Sequence, residues 1–179
     1  MHRIFISIIL TFLFINSASA FDLSSPDITA GSSLSQAQVY RGFGCNGENL
    51  SPALHWKDPP AGARSFAVTV YDPDAPTGSG WWHWIVYDIP ATTTSLPGGA
   101  VVKKSLPTGV MQGRNDFSER NFGGACPPAG DKPHHYLFTV YALKVEKLGV
   151  AEDASAALIG FMLNANSLGK AQFTATYAR

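Results

Sequence analysis

Residues 72–90 read DPDAPTGSGWWHWIVYDIP, and this stretch governs the interpretation of the whole sequence. Two acids stand between prolines, a glycine-containing turn follows, and His83 then lies among tryptophans at the head of an apolar run. Aromatic and β-branched residues favour a strand, so we predict one over 82–89, which Pro90 ends. A titratable ring at the mouth of a strand, beside a loop, is a candidate binding group.

Other segments of the same kind predict a mainly antiparallel β domain. Residues 65–71 (SFAVTVY) lead into the acidic turn, 134–143 (HHYLFTVYAL) form another strong strand, and 172–177 (QFTATY) form the last one. Weaker strand candidates are 22–24 and 38–40. Glycines and prolines are spread along the chain, which favours short strands joined by many turns.

One helix is predicted, over residues 153–165. Its apolar side chains recur at i, i+3 and i+4, so they should share one buried side. That side comprises Ala154, Ala157, Leu158, Phe161, Met162 and Ala165. Asp153 is the expected N-cap and Gly169 the expected residue beyond the C-terminus. Residues 91–133 are expected to be mostly loop, with a second short helical turn.

The first twenty residues differ from the rest. Arg3 precedes an apolar block at 4–15, and residues 18–20 (ASA) have the small-x-small pattern of a signal-peptidase site. The block is well short of the ~20 residues that a membrane-spanning helix needs. We therefore expect a signal peptide over 1–20, export to the periplasm, and a single domain over 21–179.

Composition excludes some functions and bears on the two cysteines. Lys and Arg number 13, as do Asp and Glu, so the formal net charge is zero at pH 7. Nucleic-acid binding needs many Lys and Arg contacts with phosphates, so we exclude it. No segment after the leader is apolar enough to cross a membrane. Cys45 and Cys126 form an even pair, which favours a disulfide in an exported protein, with two buried free thiols as the alternative.

Strand periodicity brings candidate functional residues to one end of the sheet. Alternation gives two sets of side chains a common face each: His83, Ile85, Tyr87 and Ile89 in one strand, and His134, Tyr136, Phe138 and Val140 in the other. His83 and His134 each start a strand, and Asp72 follows the end of another. The three can therefore converge on one pocket. The alternative is that His83 is a satisfied core histidine and His134 a surface one.

Several ordered motifs resemble those of the phosphatidylethanolamine-binding proteins. DPDAP at 72–76, followed by WHW at 82–84 and IP at 89–90, is similar to the first signature of that family. The second is similar to GRNDF at 113–117, CPP at 126–128, Gly130, HHY at 134–136 and VYAL at 140–143. FGCNGENLSP at 43–52 and LHW at 54–56 resemble the early signature of the bacterial branch, the Raf kinase inhibitor-like proteins. The match covers nearly all of 21–179.

The resemblance implies a fold and a site. The fold would be mainly β: two antiparallel sheets with a Greek-key element and a few short peripheral helices. A small anion-binding pocket would lie near the surface, formed by Asp72, His83, Pro127, Pro128, His134 and Tyr136. The resemblance also supports a Cys45–Cys126 disulfide that would clip the pocket loop to the amino-terminal region. No metal and no cofactor are expected.

The chain departs from the family pattern at positions expected on the pocket rim. Ala125 stands where the bacterial pattern often has proline, Phe122 where tyrosine is usual, and Ser118 where glycine is usual. The shape of the ligand could therefore differ. The carboxy-terminal helix that covers the pocket in eukaryotic members has no counterpart, so we expect a more open pocket and carry over no eukaryotic partner.

The expected function is that of an exported binding protein. Its ligand would be a phosphorylated small molecule, a lipid head group or an anionic group on a protein. Two imidazoles can donate hydrogen bonds and become cationic on protonation, and Asp72 could hold one of them. We therefore expect anion affinity to rise as the pH falls through the imidazole range.

Other functions stay open at this point. The protein could instead act through its surface as an interaction or inhibitor protein, with a partner that the sequence does not identify. A hydrolase using Asp and His as acid and base is less favoured, because there is no G-x-S-x-G nucleophile, and we expect no enzyme. A zinc site at Asp72, His83 and His134 lacks any characteristic histidine spacing. A homodimer could form through an edge strand.

Overall fold

The computed structural model describes residues 20–179, so residues 1–19 of the predicted signal peptide lie outside the described residues. Strands predominate in the described chain. They are β1 (Asp22–Ser24), β2 (Arg41–Gly42), β3 (Cys45–Asn46), β4 (Leu54–Lys57), β5 (Ser65–Asp72), β6 (Trp81–Pro90), β7 (Ser95–Leu96), β8 (Met111–Gln112), β9 (His134–Leu143) and β10 (Ser167–Tyr177). The helical elements are the 3₁₀ turn Gln36–Gln38 and helix α1 (Ala156–Asn166).

Two sheets and a helix are stacked in layers. The larger sheet has the order β10-β9-β5-β6-β8, the smaller one has the order β1-β4-β7, and β2 and β3 form a separate hairpin. All pairs of named strands are antiparallel. One apolar cluster lies between the five-stranded and the three-stranded sheet and includes Trp56, Trp84 and Phe138. A second cluster joins the other face of the larger sheet to α1. The predicted mainly antiparallel β fold is confirmed.

The strand predictions were accurate in the centre of the domain and less so at its edges. The strand over 134–143 has the predicted bounds, and the other three strong strands are longer than predicted. Residues 22–24 form β1, but 38–40 do not form a strand: a 3₁₀ turn occupies 36–38, and Val39 makes a single bridge to Ala125. Residues 91–133 contain no named helix, but the Lys103 N–H donates to the Gly99 carbonyl at 2.9 Å, which closes a single helical turn of the kind expected in this loop.

The predicted side of the helix was wrong. Helix α1 begins after Ser155, whose hydroxyl accepts a hydrogen bond from the Leu158 N–H at 3.2 Å, and not after Asp153. The buried side chains are those of Ala156, Ile159, Gly160 and Leu163. Leu158 and Phe161 are exposed. Apolar residues lie on all sides of this helix, so periodicity alone does not identify the buried side.

A close contact explains which side of α1 is buried. A Cβ on Gly160 would lie 3.2 Å from the Trp82 ring, so the glycine lets the helix approach the sheet closely. At the other end, Gly169 was predicted to follow the helix, but it lies inside β10 and pairs with Ala142. The helix thus leads directly into β10, and a glycine C-cap is not used.

Bulges in β6 break the predicted alternation of its side chains. Tyr71 pairs with Trp82 and Val70 with Trp84, so His83 is an extra residue on β6. Trp82 consequently packs on the α1 side while Trp84 belongs to the core between the sheets. Asp88, with φ of +60°, lies at a second irregularity. The prediction that His83, Ile85, Tyr87 and Ile89 share one face was therefore wrong.

Candidate functional site

A cavity of about 170 Å³ lies at the end of the larger sheet where β5 ends and β6 and β9 begin. Its lining consists of Phe43, Asp72, Ala75, Pro76, Thr77, Trp81, His83, Phe117, Cys126, Pro127, Pro128, His134 and Tyr136. All six residues that the sequence analysis assigned to an anion pocket are in this lining. The structure brings them together; their role in binding stays a prediction. The volume is below the ~300–1,000 Å³ of sites for drug-sized ligands, so a small group would fit.

Asp72 organises one wall of the cavity. One carboxylate oxygen accepts hydrogen bonds from the backbone N–H groups of Asp74 and Ala75, at 2.8 and 3.2 Å. The other oxygen accepts a hydrogen bond from Nδ1 of His134 at 2.8 Å. Both side chains are buried. The carboxylate thus fixes the turn that follows β5 and the ring orientation of His134 at the same time.

The surroundings of His134 favour its charged form. Burial by itself lowers the pKa of this ring, but the hydrogen bond and negative charge of Asp72 outweigh it, with smaller contributions from Asp131 and Asp74, and raise the pKa above its ordinary value. Nε2 of His134 lies 3.4 Å from a carboxylate oxygen of the half-exposed Asp131. The contact is long, so this N–H is open to a competing oxyanion.

His83 is held by the loop that runs along the start of β6. Nδ1 of His83 donates to the carbonyl of Gly123 at 2.8 Å, and the Gly123 N–H donates to the carbonyl of His83 at 2.9 Å. The amide of Asn115 also donates to the carbonyl of His83, at 3.3 Å. A Cβ on Gly123 would lie 2.4 Å from the Phe117 ring, so a glycine is required for this close pairing.

Burial lowers the pKa of His83, although the Gly123 carbonyl and the charge of Asp72 act in the opposite sense. The two histidines of the cavity therefore differ: His134 is favoured as a cation and His83 as a neutral ring. The tautomer of His83 follows from its contact, because a carbonyl oxygen only accepts, and so Nδ1 carries the proton. Nε2 is then an acceptor.

Buried polar atoms without a hydrogen-bond partner are concentrated at this cavity. Four side-chain atoms within residues 20–179 are in this condition: Trp56 Nε1, Trp81 Nε1, His83 Nε2 and the Tyr136 hydroxyl oxygen. Three of the four belong to residues that line the cavity. Buried polar groups normally have partners, so these three atoms make the cavity the candidate functional site of the described residues.

Comparison with known proteins identifies the family. The family model described as phosphatidylethanolamine-binding protein matches residues 24–178. The chain belongs to the phosphatidylethanolamine-binding protein family. The UPF0098 protein YbcL of Escherichia coli K12 is 54% identical over 180 residues, covering 99% of this chain and 98% of that protein. UPF0098 protein YbhB of the same organism is 48% identical over 159 residues, covering 87% and 99%.

A solved structure and a more distant relative complete the comparison. The crystal structure of E. coli YbcL, described as a new member of the mammalian PEBP family, has a TM-score of 0.87 and 56% sequence identity and covers 90% of this chain and 99% of that one. A Mycobacterium tuberculosis protein whose name describes it as a candidate lipoprotein, LppC, is 41% identical over 104 residues, 58% of this chain and 48% of that protein.

The rim of the cavity in this family member is tied by a disulfide and by an arginine. Cys45 and Cys126 are joined, as expected, and the bond links β3 to the loop that precedes β9. Arg179 donates to the carbonyl of Pro127 at 2.6 Å and to that of Phe43 at 3.3 Å. The two rim segments are thus connected twice. The sequence analysis did not identify this arginine, because it lies far from both segments along the chain.

Phe117 forms the aromatic part of the rim. Its ring stacks on Tyr40 with centroids 4.1 Å apart, and it contacts Trp81 and His83 at 5.2 and 5.5 Å. The exposed Phe43 lies 5.7 Å away. Phe117 is part of the second signature, but the sequence analysis did not assign it to the pocket. A bulky aromatic residue at the end of the GRNDF motif was the available signal.

The positions that depart from the family pattern lie apart from the cavity. Phe122 and Ala125 are buried in the core between the sheets, and Phe122 packs edge-on against Trp84. The expectation that these two residues form the rim was wrong, because their segment turns inward. Ser118 has φ of +67°, the left-handed region that favours glycine, which explains why glycine is usual there.

The described residues bear on two alternatives, a metal site and a membrane span. No group of three or more His, Cys, Asp or Glu side chains within 20–179 is placed to hold a metal ion. In the same residues, no helix has the length and apolar character needed to span a membrane.

Proposed function

We propose that this member of the phosphatidylethanolamine-binding protein family is an exported binding protein whose cavity holds the anionic group of a small ligand. The group would belong to a phosphorylated small molecule, a lipid head group or an anionic group on a protein. The observation that carries the proposal is the set of buried, unpartnered polar atoms on Trp81, His83 and Tyr136 around one cavity.

The chemistry of the lining suits an oxyanion. The Tyr136 hydroxyl and the Trp81 N–H are donors without acceptors, and His134, which lines the same cavity, has a pKa raised in favour of its cationic form. Asp72 offsets part of that charge, but its oxygens already accept from His134 and from backbone N–H groups. Hydrogen bonds to an ionised group are roughly twice as strong as neutral ones, so a few donors in a buried site suffice.

The lining supports binding and offers no nucleophile for catalysis. The Thr77 hydroxyl donates to the carbonyl of Gly80, and Cys126 is in the disulfide. Burial holds the pKa of the Tyr136 hydroxyl far above its ordinary value, so the phenol stays protonated. We therefore propose binding and no enzymatic activity.

Export to the periplasm is part of the proposal. Three observations support it: the signal-peptide pattern of residues 1–20, the Cys45–Cys126 disulfide, and a relative named as a candidate lipoprotein. Disulfides persist in oxidising compartments, and both cysteines of the chain are used in this one.

Calorimetric titration with inorganic phosphate and with phosphoethanolamine tests the proposal, using the Tyr136→Phe variant. We expect this variant to bind either anion at least about tenfold more weakly, because a hydrogen bond to a charged group is lost. The unliganded variant should be as stable as the parent or more stable, because the hydroxyl it removes has no partner.

The matched control is Tyr141→Phe, which makes the same change at a buried tyrosine in the core cluster on the other face of the larger sheet. This control should bind phosphate as the parent does. Absence of binding by the parent protein at millimolar anion, or an equal loss in both variants, would contradict the proposed function.

A further inference from the structure

The hydrogen-bonding capacity of His83 restricts the kind of anion that fits. Its Nδ1 donates to the Gly123 carbonyl at 2.8 Å, so the neutral ring presents only the lone pair of Nε2 to any other partner. Nε2 is buried and has no partner among the described residues. A ligand beside it must therefore bring a hydrogen-bond donor of its own.

The neighbouring groups have the opposite requirement. Trp81 Nε1 can only donate, and the Tyr136 hydroxyl is free to donate. His134, whose Nδ1 donates to Asp72, also has an N–H at Nε2. A ligand that satisfies the cavity therefore needs acceptor atoms for Trp81, Tyr136 and His134. It also needs a hydrogen-bond donor for Nε2 of His83.

We propose that the cavity selects a phosphate group that carries its own proton, as in a phosphomonoester monoanion or dihydrogen phosphate, over a phosphodiester. The P–OH group donates to Nε2 of His83, and the remaining oxygens accept from Trp81 and Tyr136. This inference rests on the proposed function and names its ligand class. A diester has acceptors only, so at Nε2 an oxygen lone pair meets a nitrogen lone pair in a buried site.

A proton on Nε2 would remove the mismatch with a diester, and the surroundings of His83 oppose it. Burial lowers the pKa of this ring, whereas the charges of Asp72 on β5 and Asp116 in the loop beside β6 raise it by lesser amounts. From β9, Tyr136, which is uncharged, packs edge-on against His83, and His134, whose cationic form is favoured, lines the same cavity. A diester can therefore bind without a mismatch only if Nε2 of His83 takes up a proton, and the lowered pKa of this ring makes that uptake unfavourable.

Ethyl phosphate and dimethyl phosphate provide the test, because they are isomers with the same heavy atoms. At pH 5.5 a monoester with a second pKa near 6 is mostly the monoanion, so both ligands carry about one negative charge. They then differ in whether a P–OH group is present. We expect the full-length parent protein to bind ethyl phosphate at least about tenfold more tightly, because the diester leaves a buried polar group unsatisfied.

The His83→Gln variant sharpens the test. Its amide can donate as well as accept, so it should bind the two isomers with affinities that differ by less than about threefold. Nitrogen-15 NMR of the parent protein checks the premise separately, by showing whether Nδ1 of His83 carries the proton at pH 5.5. Inorganic phosphate serves as a third ligand that can present a P–OH group without any ester.

The outcomes separate this inference from the proposed function. Equal affinities of the parent protein for the two isomers, or an Nε2-protonated ring in the unliganded protein, would overturn the selectivity while leaving anion binding intact. A preference for the monoester that persists in the glutamine variant would assign the selectivity to another residue. Failure of all three ligands to bind would overturn both proposals.

Discussion

The two sides of the cavity are held in different ways. On the β9 side, His134 and Asp72 are buried at the ends of regular strands, and each is the other's partner. On the β6 side, His83 is an extra residue in a bulge and is held by a loop that is itself tied down by Asn115 and the disulfide. The first side is organised by charge, and the second by backbone hydrogen bonds and a covalent link.

This difference explains how one small cavity contains two histidines of opposite character. The pKa of His134 is raised by a carboxylate that the strand ends bring within 2.8 Å. His83 faces a carbonyl and aromatic rings, and burial keeps it neutral. A cation and a neutral acceptor side by side can distinguish ligands that two identical imidazoles would not.

Removal of the disulfide should have the largest effect, and it should act on the β6 side. Cys45 and Cys126 are 81 residues apart, and the chain-entropy model gives about 4 kcal/mol for a loop of that size. We expect the double variant Cys45→Ser/Cys126→Ser to lose about that much unfolding free energy, measured by urea denaturation. Anion affinity should fall as well, because Pro127 and Pro128 follow Cys126 on the rim.

The β9 side provides the control within the same variant. The pKa of His134, followed by NMR, should stay above its ordinary value, since Asp72 and His134 belong to strands that the disulfide does not join. A loss of stability below about 1 kcal/mol would show that the disulfide does not hold the β6 side. A pKa of His134 that returns to that of a free histidine would show that the two sides are not held separately.

The Asp72→Asn substitution should have the next largest effect, and it acts on the β9 side. Removing the charge of one partner of a buried ion pair lowers the unfolding free energy by about 3 kcal/mol or more. In this protein two backbone N–H groups also lose a charged acceptor. The pKa of His134 should fall, because the dominant cause of its elevation is removed. Urea denaturation and NMR titration of the ring measure the two effects.

Asp74→Asn is the matched control, because Asp74 forms the equivalent contact with His135, at 2.7 Å, at the surface. Exposed ion pairs contribute about 0–1 kcal/mol, so this variant should be nearly as stable as the parent. If the two asparagine variants were equally stable, burial would not be what makes the Asp72–His134 pair important.

The sequence was sufficient to predict one side of the cavity and insufficient for the other. Asp72 and His134 lie at the ends of regular strands, where alternation of side chains holds, and the family motifs mark both. His83 was assigned to the pocket from its motif, but its face was wrong because a bulge inserts one residue and reverses the alternation. Periodicity carries no information about where a bulge occurs.

Contacts made by distant parts of the chain could not be predicted. Arg179 reaches the rim from beyond the end of β10, and the carbonyl of Gly123 reaches His83 from a loop. The same limit applied to α1, where Leu158 and Phe161 are exposed although they fit the apolar pattern. In that helix the close approach of Gly160 to Trp82 decided the orientation, and tertiary packing of this kind is absent from a one-dimensional pattern.

The pH dependence of stability should show the smallest effect. The free energy of unfolding should decline on the alkaline side because of His134 and on the acid side because of His83. The pKa of His134 is raised in the folded protein, so its contribution is fully present below the unfolded value of about 6.5 and is lost as the pH rises through the folded pKa. The pKa of His83 is lowered, so its contribution is present above about 6.5 and is lost as the pH falls towards the folded pKa.

Each of two variants should remove one of these two declines in unfolding free energy. In urea denaturation between pH 5 and pH 8, His134→Gln should flatten the decline in unfolding free energy on the alkaline side, because no ring remains there to lose its proton. His83→Gln should flatten the decline on the acid side, because the unfolded chain no longer gains a proton that the folded one resists. If both variants changed the decline on the same side of the pH range, the two rings would share one charge state. The contrast between the two sides of the cavity would then not hold.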